Sequence, residues 1–112
     1  MRYAMRRVQY QPDSVKETRL LPNYPNPFNP ETWIPYELAA PTNVHLEIYA
    51  ADGQLVRHLH PGRKQAGRYH LRSRAAYWDG RDYAGALTAS GVYFYVLHAG
   101  DRTYTRKMAI SK

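Results

Sequence analysis

At 112 residues and 13.0 kDa, with 44% hydrophobic residues and a formal net charge of +7, the chain has the size of one domain with a modest core. It has no cysteine, which excludes disulfides, thiolate chemistry and cysteine-ligated zinc. No apolar run approaches the roughly 18 residues of a membrane-spanning helix, and the basic start MRYAMRRVQYQPDSVKE lacks the apolar stretch of a secretory signal.

Residues 1–19 carry five Lys and Arg against two acids, without sustained periodicity. They read as a basic tail or linker, with a short strand expected around 5–10, and the domain proper is expected over 20–112. Eleven tyrosines against two Phe and two Trp favour β structure, because tyrosine packs on a pleated surface while keeping its hydroxyl wet. NYPNPFNP (23–30) then places Asn23, Asn26 and Asn29 around Pro25, Pro27 and Pro30, with Tyr24 and Phe28 between them. The prolines imply an extended approach and the asparagines turn-capping hydrogen bonds, so the block is expected to be a rigid hinge. Tyr24 and Phe28 are expected to tuck against the sheet end.

Residues 33–38 alternate, with Ile34, Tyr36 and Leu38 on one face, and Pro35 predicts one edge strand there, or one with the proline nitrogen facing outward. Val44, Leu46 and Ile48 share the inward face of the next strand, and Asp52-Gly53 supplies a hairpin turn. The return strand is expected over 55–60, stopping at Pro61-Gly62, with a basic loop and a strand over 68–73 after it. Asp79-Gly80 and Ala84-Gly85 mark two turns. SGVYFYVL, apolar or aromatic at both parities, predicts a central strand over 92–97 covered on both faces. Gly100-Asp101 returns the chain into a last strand facing Tyr104, Met108 and Ile110 inward. Short strands at 8–12-residue spacing, with no helical period, predict an all-β antiparallel sandwich.

The chemistry-bearing residues are sparse. Ser14, Ser73, Ser90 and Ser111 lack a nucleophile's context, and Asp79 and Asp82, beside glycines, read as turn closers before they read as an acid–base pair. His58 and His60, with His45 on the paired strand, can in principle hold a metal, but no carboxylate pattern accompanies them. Arg57, Arg63, Lys64, Arg68, Arg72 and Arg74 read as a solvated face rather than a nucleic-acid track. Trp33, Tyr77 and Trp78 can form a sugar-stacking platform, although Trp78 reads better as the core anchor. The expectation is a protein that is not an enzyme and has no cofactor, no nucleic-acid partner and no membrane span.

Six blocks in order carry a family resemblance: LPNYPNPFNPETWIPYEL (21–38), VHLEIYAADGQLVRHL (44–59), AGRYHL (66–71), WDGRDYAG (78–85), SGVYFYVL (90–97) and TRKMAISK (105–112). With them the chain resembles the type A C-terminal sorting domains of the type IX secretion system, which overlap with the immunoglobulin-like domain of the flagellar hook-capping protein. The segment RSRAAY (72–77) is longer than the family's common pattern. The resemblance implies an immunoglobulin-like or fibronectin type III-like sandwich of about seven strands. It further implies a sorting and anchoring role on a secreted or cell-surface protein, with secretion or attachment machinery as partner. An upstream cargo domain is then expected in the same or a neighbouring chain. The alternative is an assembly module without an address role, hook-cap-like or accessory to a larger extracellular enzyme; a binder of anionic glycan or nucleic acid is a third reading. The residues the resemblance singles out are Asn23, Pro25, Asn26, Pro27, Phe28, Asn29 and Pro30, then Trp78, Asp79 and Gly80, Gly91, Val92 and Tyr93, and Lys107, Met108 and Lys112.

Overall fold

The computed structural model describes residues 14–112, which form nine strand segments and no helix. In chain order these are β1 (Arg19–Leu20), β2 (Thr32–Ile34), β3 (Tyr36–Leu38), β4 (Thr42–Ala50) and β5 (Leu55–Lys64). β6 (Gly67–Tyr69), β7 (Ala76–Trp78), β8 (Gly91–Ala99) and β9 (Arg102–Ile110) complete the set. The main sheet has the antiparallel order β5-β4-β8-β9, and two small sheets, β1-β3-β6 and β2-β7, supply the other layer. This is the expected all-β, immunoglobulin-like architecture. The alternating apolar residues of the long strands bury one face, Val44, Leu46 and Ile48 from β4 and Tyr93, Tyr95 and Leu97 from β8. Trp78, Tyr36 and Phe28 fill the space opposite them, each at most 1% exposed. Burying a large side chain of this kind contributes roughly 1.5–3 kcal/mol.

Four expectations are corrected, and proline accounts for three. Residues 33–38 are not one edge strand: Pro35 has no N–H to continue a ladder, so the chain changes sheet there. β2 pairs with β7, whereas β3 lies between β1 and β6, a central position that buries Glu37 as well as Tyr36 and Leu38. The same proline shortens β6. Its register sets Tyr36 against Tyr69, so the next position would face Pro35, and the strand stops at Tyr69 instead of reaching 73. The extra residues of RSRAAY close a turn, with the amides of Arg74 and Ala75 both donating to the Leu71 carbonyl at 2.8 and 2.7 Å.

The return strand β5 does not stop at Pro61-Gly62 but runs to Lys64. Val44 pairs with Gly62 and Leu46 with Leu59, so His60 and Pro61 together oppose His45 in a bulge that tolerates a residue without an N–H. Finally, β8 is central in hydrogen bonding but not covered on both sides. Its second face, Val92, Phe94, Val96 and His98, is half-buried to exposed, with Val92 at 42%. At the other end, Arg19 pairs with Glu37, and the Thr18 hydroxyl accepts the Ala39 amide at 3.1 Å. The strand expected around 5–10 lies outside the described residues.

Candidate recognition surface

The Asn/Pro block folds back on itself instead of approaching in extended form. Tyr24 and Trp33 exchange both backbone hydrogen bonds, at 2.9 and 2.8 Å, so the intervening residues form a closed loop. The peptide bonds Tyr24–Pro25, Asn26–Pro27 and Asn29–Pro30 are cis. Inside the loop, the buried Asn23 side-chain amide donates to Thr32 Oγ1 at 3.0 Å and to the Pro25 carbonyl at 3.3 Å. The capping role expected of the asparagines is thus visible at Asn23, across nine residues.

Tyr95 ties the loop to the main sheet. Its hydroxyl accepts the Asn23 backbone N–H at 2.9 Å and donates to the Leu21 carbonyl at 2.9 Å. Burial pushes its pKa up to about 12, so the phenol stays neutral and can serve as donor and acceptor together. No sequence signal singles out Tyr95 from the other ten tyrosines, because its partners lie more than seventy positions away.

The same loop clasps the last strand. Phe28 N–H donates to the Ala109 carbonyl at 3.0 Å, Ser111 N–H donates to the Phe28 carbonyl at 3.1 Å, and Asn26 Oδ1 accepts the Ala109 amide at 3.0 Å. Phe28 therefore adds one parallel bridge to the edge of β9, opposite Ile110. A sheet edge that would otherwise offer unpaired groups is blunted there. The Phe28 ring is buried against Trp78 at 5.5 Å between centroids, and Trp78 meets Tyr93 edge-on at 6.0 Å. Tyr24 reaches the other layer, its hydroxyl donating to the His70 carbonyl.

Trp78-Asp79-Gly80 closes the arrangement from below. Trp78 Nε1 donates to the Arg81 carbonyl at 2.9 Å, which satisfies the indole inside the core. Asp79 Oδ1 accepts the Arg81 amide at 2.9 Å and the Arg57 guanidinium at 2.8 Å. Asp82 Oδ1 likewise accepts the Ala84 and Ala86 amides at 2.9 and 3.0 Å, so both carboxylates close turns. Gly80 sits at φ +78°, where a Cβ would lie 2.0 Å from the Pro30 carbonyl oxygen. Only glycine lets the two segments approach this closely.

Part of the set singled out by resemblance thus forms one connected arrangement, from Asn23 through Phe28, Pro30, Gly80, Trp78 and Tyr93 to Met108 and the end of β9. Met108 and Tyr93 are paired across β8 and β9, and both point into the core. Gly91 and Val92 begin β8 opposite Ile110 and Ala109, on the exposed side. Lys107 and Lys112 are exposed.

Four of the five histidines gather on the outer face of the main sheet, where the structure adds His98 and its partner Glu47 to the three that spacing found, while His70 joins Glu37 in the other layer. His45 Nδ1 lies 3.1 Å from His58 Nε2, the rings of His58 and His60 meet at a tilt with centroids 4.4 Å apart, and His98, opposite His45 on β8, packs on it at 4.3 Å. His98 Nε2 contacts Glu47 Oε1 at 2.6 Å. Among the described residues, no three His, Asp or Glu side chains are arranged to hold a metal ion. Burial, together with neighbouring His98 and His58, holds His45 below its ordinary pKa, while the hydrogen bond with His98 is the main cause holding Glu47 below its own. The basic residues disperse instead of forming a track: Arg57 joins Asp79, Arg68 faces Glu37, and Arg72 lies over Trp33 at 4.2 Å. Trp33 stacks on Tyr24 and meets Tyr77 at a tilt of 48°, but Trp78 belongs to the core.

Among the solved structures that share this fold are two proteins of one organism. One is PorZ, described as an essential bacterial surface component of the type-IX secretion system of Porphyromonas gingivalis (TM-score 0.54, 19% identity). The other is dimeric latent PorU from the same organism (TM-score 0.57, 20% identity). Each similarity covers 83% of this chain but only 11% of PorZ and 9% of PorU, so the chain spans a small part of either protein's length. No curated protein sequence matches the chain. The family model described as the FlgD Ig-like domain matches residues 32–103, from β2 into β9 and so across both layers of the sandwich. The chain belongs to the FlgD Ig-like domain family.

Proposed function

We propose that this domain is a non-enzymatic sorting or attachment module of the type A class, working at the cell surface or on a secreted protein. Its partners are proteins of the secretion or attachment machinery, and its cargo is a domain upstream in the same or a neighbouring chain. The observation that carries this reading is the clasp between the Asn/Pro block and β9: Phe28 and Asn26 bond to Ala109 and Ser111. A receptor docking at that end meets both segments at once, already rigid, which lowers the ordering cost of recognition. The fold shared with PorZ, a surface component of that secretion system, supports the same reading.

The test fuses residues 14–112 to a reporter with a signal peptide, in a host that has a type IX system. The expected result is a surface-exposed or released reporter, lost when Phe28→Ala removes the ring that anchors the clasp on Trp78. A reporter that stays periplasmic with and without the domain refutes the sorting role. Family membership favours one second reading, an assembly module that docks laterally without an address role. That reading predicts stable co-purification with a structural partner and no effect of the fusion on export.

A further inference from the structure

Beside the bulge of β5, a pocket of about 290 Å³ opens between that strand, the turn before β7 and the floor of β3. Its lining includes Tyr36, His60, Lys64, Ser73 and Arg74. Tyr36 is 0% exposed, yet its hydroxyl has no hydrogen-bond partner. Burial, followed by the neighbouring Tyr69, pushes its pKa up to about 12, so the group is an O–H donor facing no acceptor. Native proteins rarely leave a buried donor in that state, and a group that fills the pocket supplies what is missing.

The cations around this donor are fixed by aromatic contacts. Tyr69 stacks on Tyr36 at 4.9 Å and 13°. The Arg74 guanidinium lies over the Tyr69 ring at 4.5 Å, and the Lys64 ammonium at 5.9 Å. Neither cation forms a salt bridge among the described residues, whereas Arg19 and Arg68 nearby share Glu37. Two cations and an O–H donor, with no carboxylate lining the pocket, are complementary to an anion.

We propose that this pocket binds a phosphate-type oxyanion, with the Tyr36 hydroxyl donating from the floor and Arg74 and Lys64 supplying the charge at the mouth. Two positive charges match a dianion better than a single carboxylate. At roughly 30 Å³ per water, the volume admits a tetrahedral anion with part of its hydration. Free phosphate and a phosphomonoester on a larger molecule present the same three oxygens to these donors.

The test titrates the full chain with inorganic phosphate at constant ionic strength, following backbone amide shifts, with chloride, acetate and glycerol 3-phosphate as parallel arms. Saturable shifts centred on Lys64, Tyr69 and Arg74, with acetate weaker, are expected. Tyr36→Phe and Arg74→Gln should each weaken phosphate binding by about tenfold or more, as loss of a hydrogen bond to a charged group does. Arg74 is exposed, so its variant keeps the test valid even where Tyr36→Phe perturbs folding. Tighter binding of glycerol 3-phosphate than of phosphate identifies a phosphomonoester as the ligand, and equal binding identifies the free ion. Non-saturating shifts matched by chloride, acetate binding as tightly as phosphate, or Tyr36→Phe and Arg74→Gln both binding like the wild type overturn the proposal.

Discussion

Gly80→Ala tests whether the clasp depends on the approach of two backbones. The substitution has two costs that a second glycine separates. Gly80 and Gly53 both have positive φ, +78° and +90°, so alanine is disfavoured at each; but a Cβ at Gly53 meets nothing within 4 Å, whereas at Gly80 it falls 2.0 Å from the Pro30 oxygen and 3.1 Å from its carbon. The left-handed conformation alone costs roughly 1–2 kcal/mol, partly offset by the smaller entropy of the unfolded alanine chain, so Gly53→Ala should lose about 0.5–1 kcal/mol. At Gly80 the backbone must move by more than 1 Å on top of that, because ordinary carbon–oxygen contacts lie well above 3 Å. The shift strains the Thr88 amide and hydroxyl bonds to the Gly80 carbonyl, each 2.9 Å, and pulls Pro30 away from the ring contact of Phe28 on Trp78. Losing a packed phenylalanine entirely costs about 3–5 kcal/mol, so Gly80→Ala should lose about 3–4 kcal/mol in total. Urea unfolding of the three proteins, followed by circular dichroism and tryptophan fluorescence, reads the difference directly. In thermal scans it corresponds to about 4–8 °C per kcal/mol for a domain of this size. If Gly80→Ala unfolds within about 0.5 kcal/mol of Gly53→Ala, a difference expected only of sites without special contacts, the close-approach argument is wrong.

Tyr95→Phe keeps the ring but leaves the Asn23 N–H and the Leu21 carbonyl without their partner, so denaturant titration should show a loss of about 1–3 kcal/mol. Phe28→Ala should cost about 3–5 kcal/mol and, because the buried ring anchors the loop, speed hydrogen exchange at the residue 28 and Ser111 amides relative to the wild type; equal exchange at both would show that the ring does not hold the clasp. The outer face of the main sheet should respond to acid. His45 is held below its ordinary 6.5, so the folded state binds fewer protons than the unfolded chain; its contribution is complete above 6.5 and declines as pH falls below it. Glu47, held below its ordinary 4.5, contributes above that value and loses its contribution as pH falls through the lower folded pKa. The urea midpoint should therefore drop between pH 7.5 and 5.5 in the wild type and less so in His45→Gln, with Glu47→Gln flattening the profile only below about pH 4.5; unchanged profiles in both variants would count against these assignments.

Much of the fold was legible because alternation and turn chemistry are local. The inward sets of β4 and β9 and the Asp52-Gly53 turn could be read from residues within a few positions of one another. The misreadings share a cause: they concern where a strand finds its partner. Pro35 is visible in the sequence, but that it sends the chain from β7 to a position between β1 and β6 depends on contacts tens of residues away. Pro61 looked like a stop, and became a bulge because β4 offers His45 against two residues. The both-sided hydrophobicity of β8 reflects a face with half-exposed Phe94 and Val96, not a covering layer, and nothing in local composition separates the two cases. Of the site, the members were legible and their meeting was not. Tyr95, Leu21 and Thr32, which hold the Asn/Pro loop, carry no marking in their own neighbourhoods.

Burial divides the set singled out by resemblance into two groups with different work, with half-buried Asp79 between them. Asn23, Phe28, Trp78, Gly80, Tyr93 and Met108 are buried, so a partner docking on the folded domain cannot touch their side chains; their contribution is to hold the loop and β9 together. Pro25, Asn26, Pro27, Asn29, Pro30, Gly91, Val92, Lys107 and Lys112 are exposed and remain available for direct contact. The two groups are separable by experiment because they fail differently. A buried member should lower stability and recognition together, and recognition should return under conditions that restore the fold. An exposed member such as Val92 or Lys107 should change recognition at constant stability, as surface positions away from caps and cores usually do. Asn26 alone belongs to both groups, since its exposed side chain accepts the Ala109 amide that fixes β9. Substituting it should therefore cost stability and contact at once.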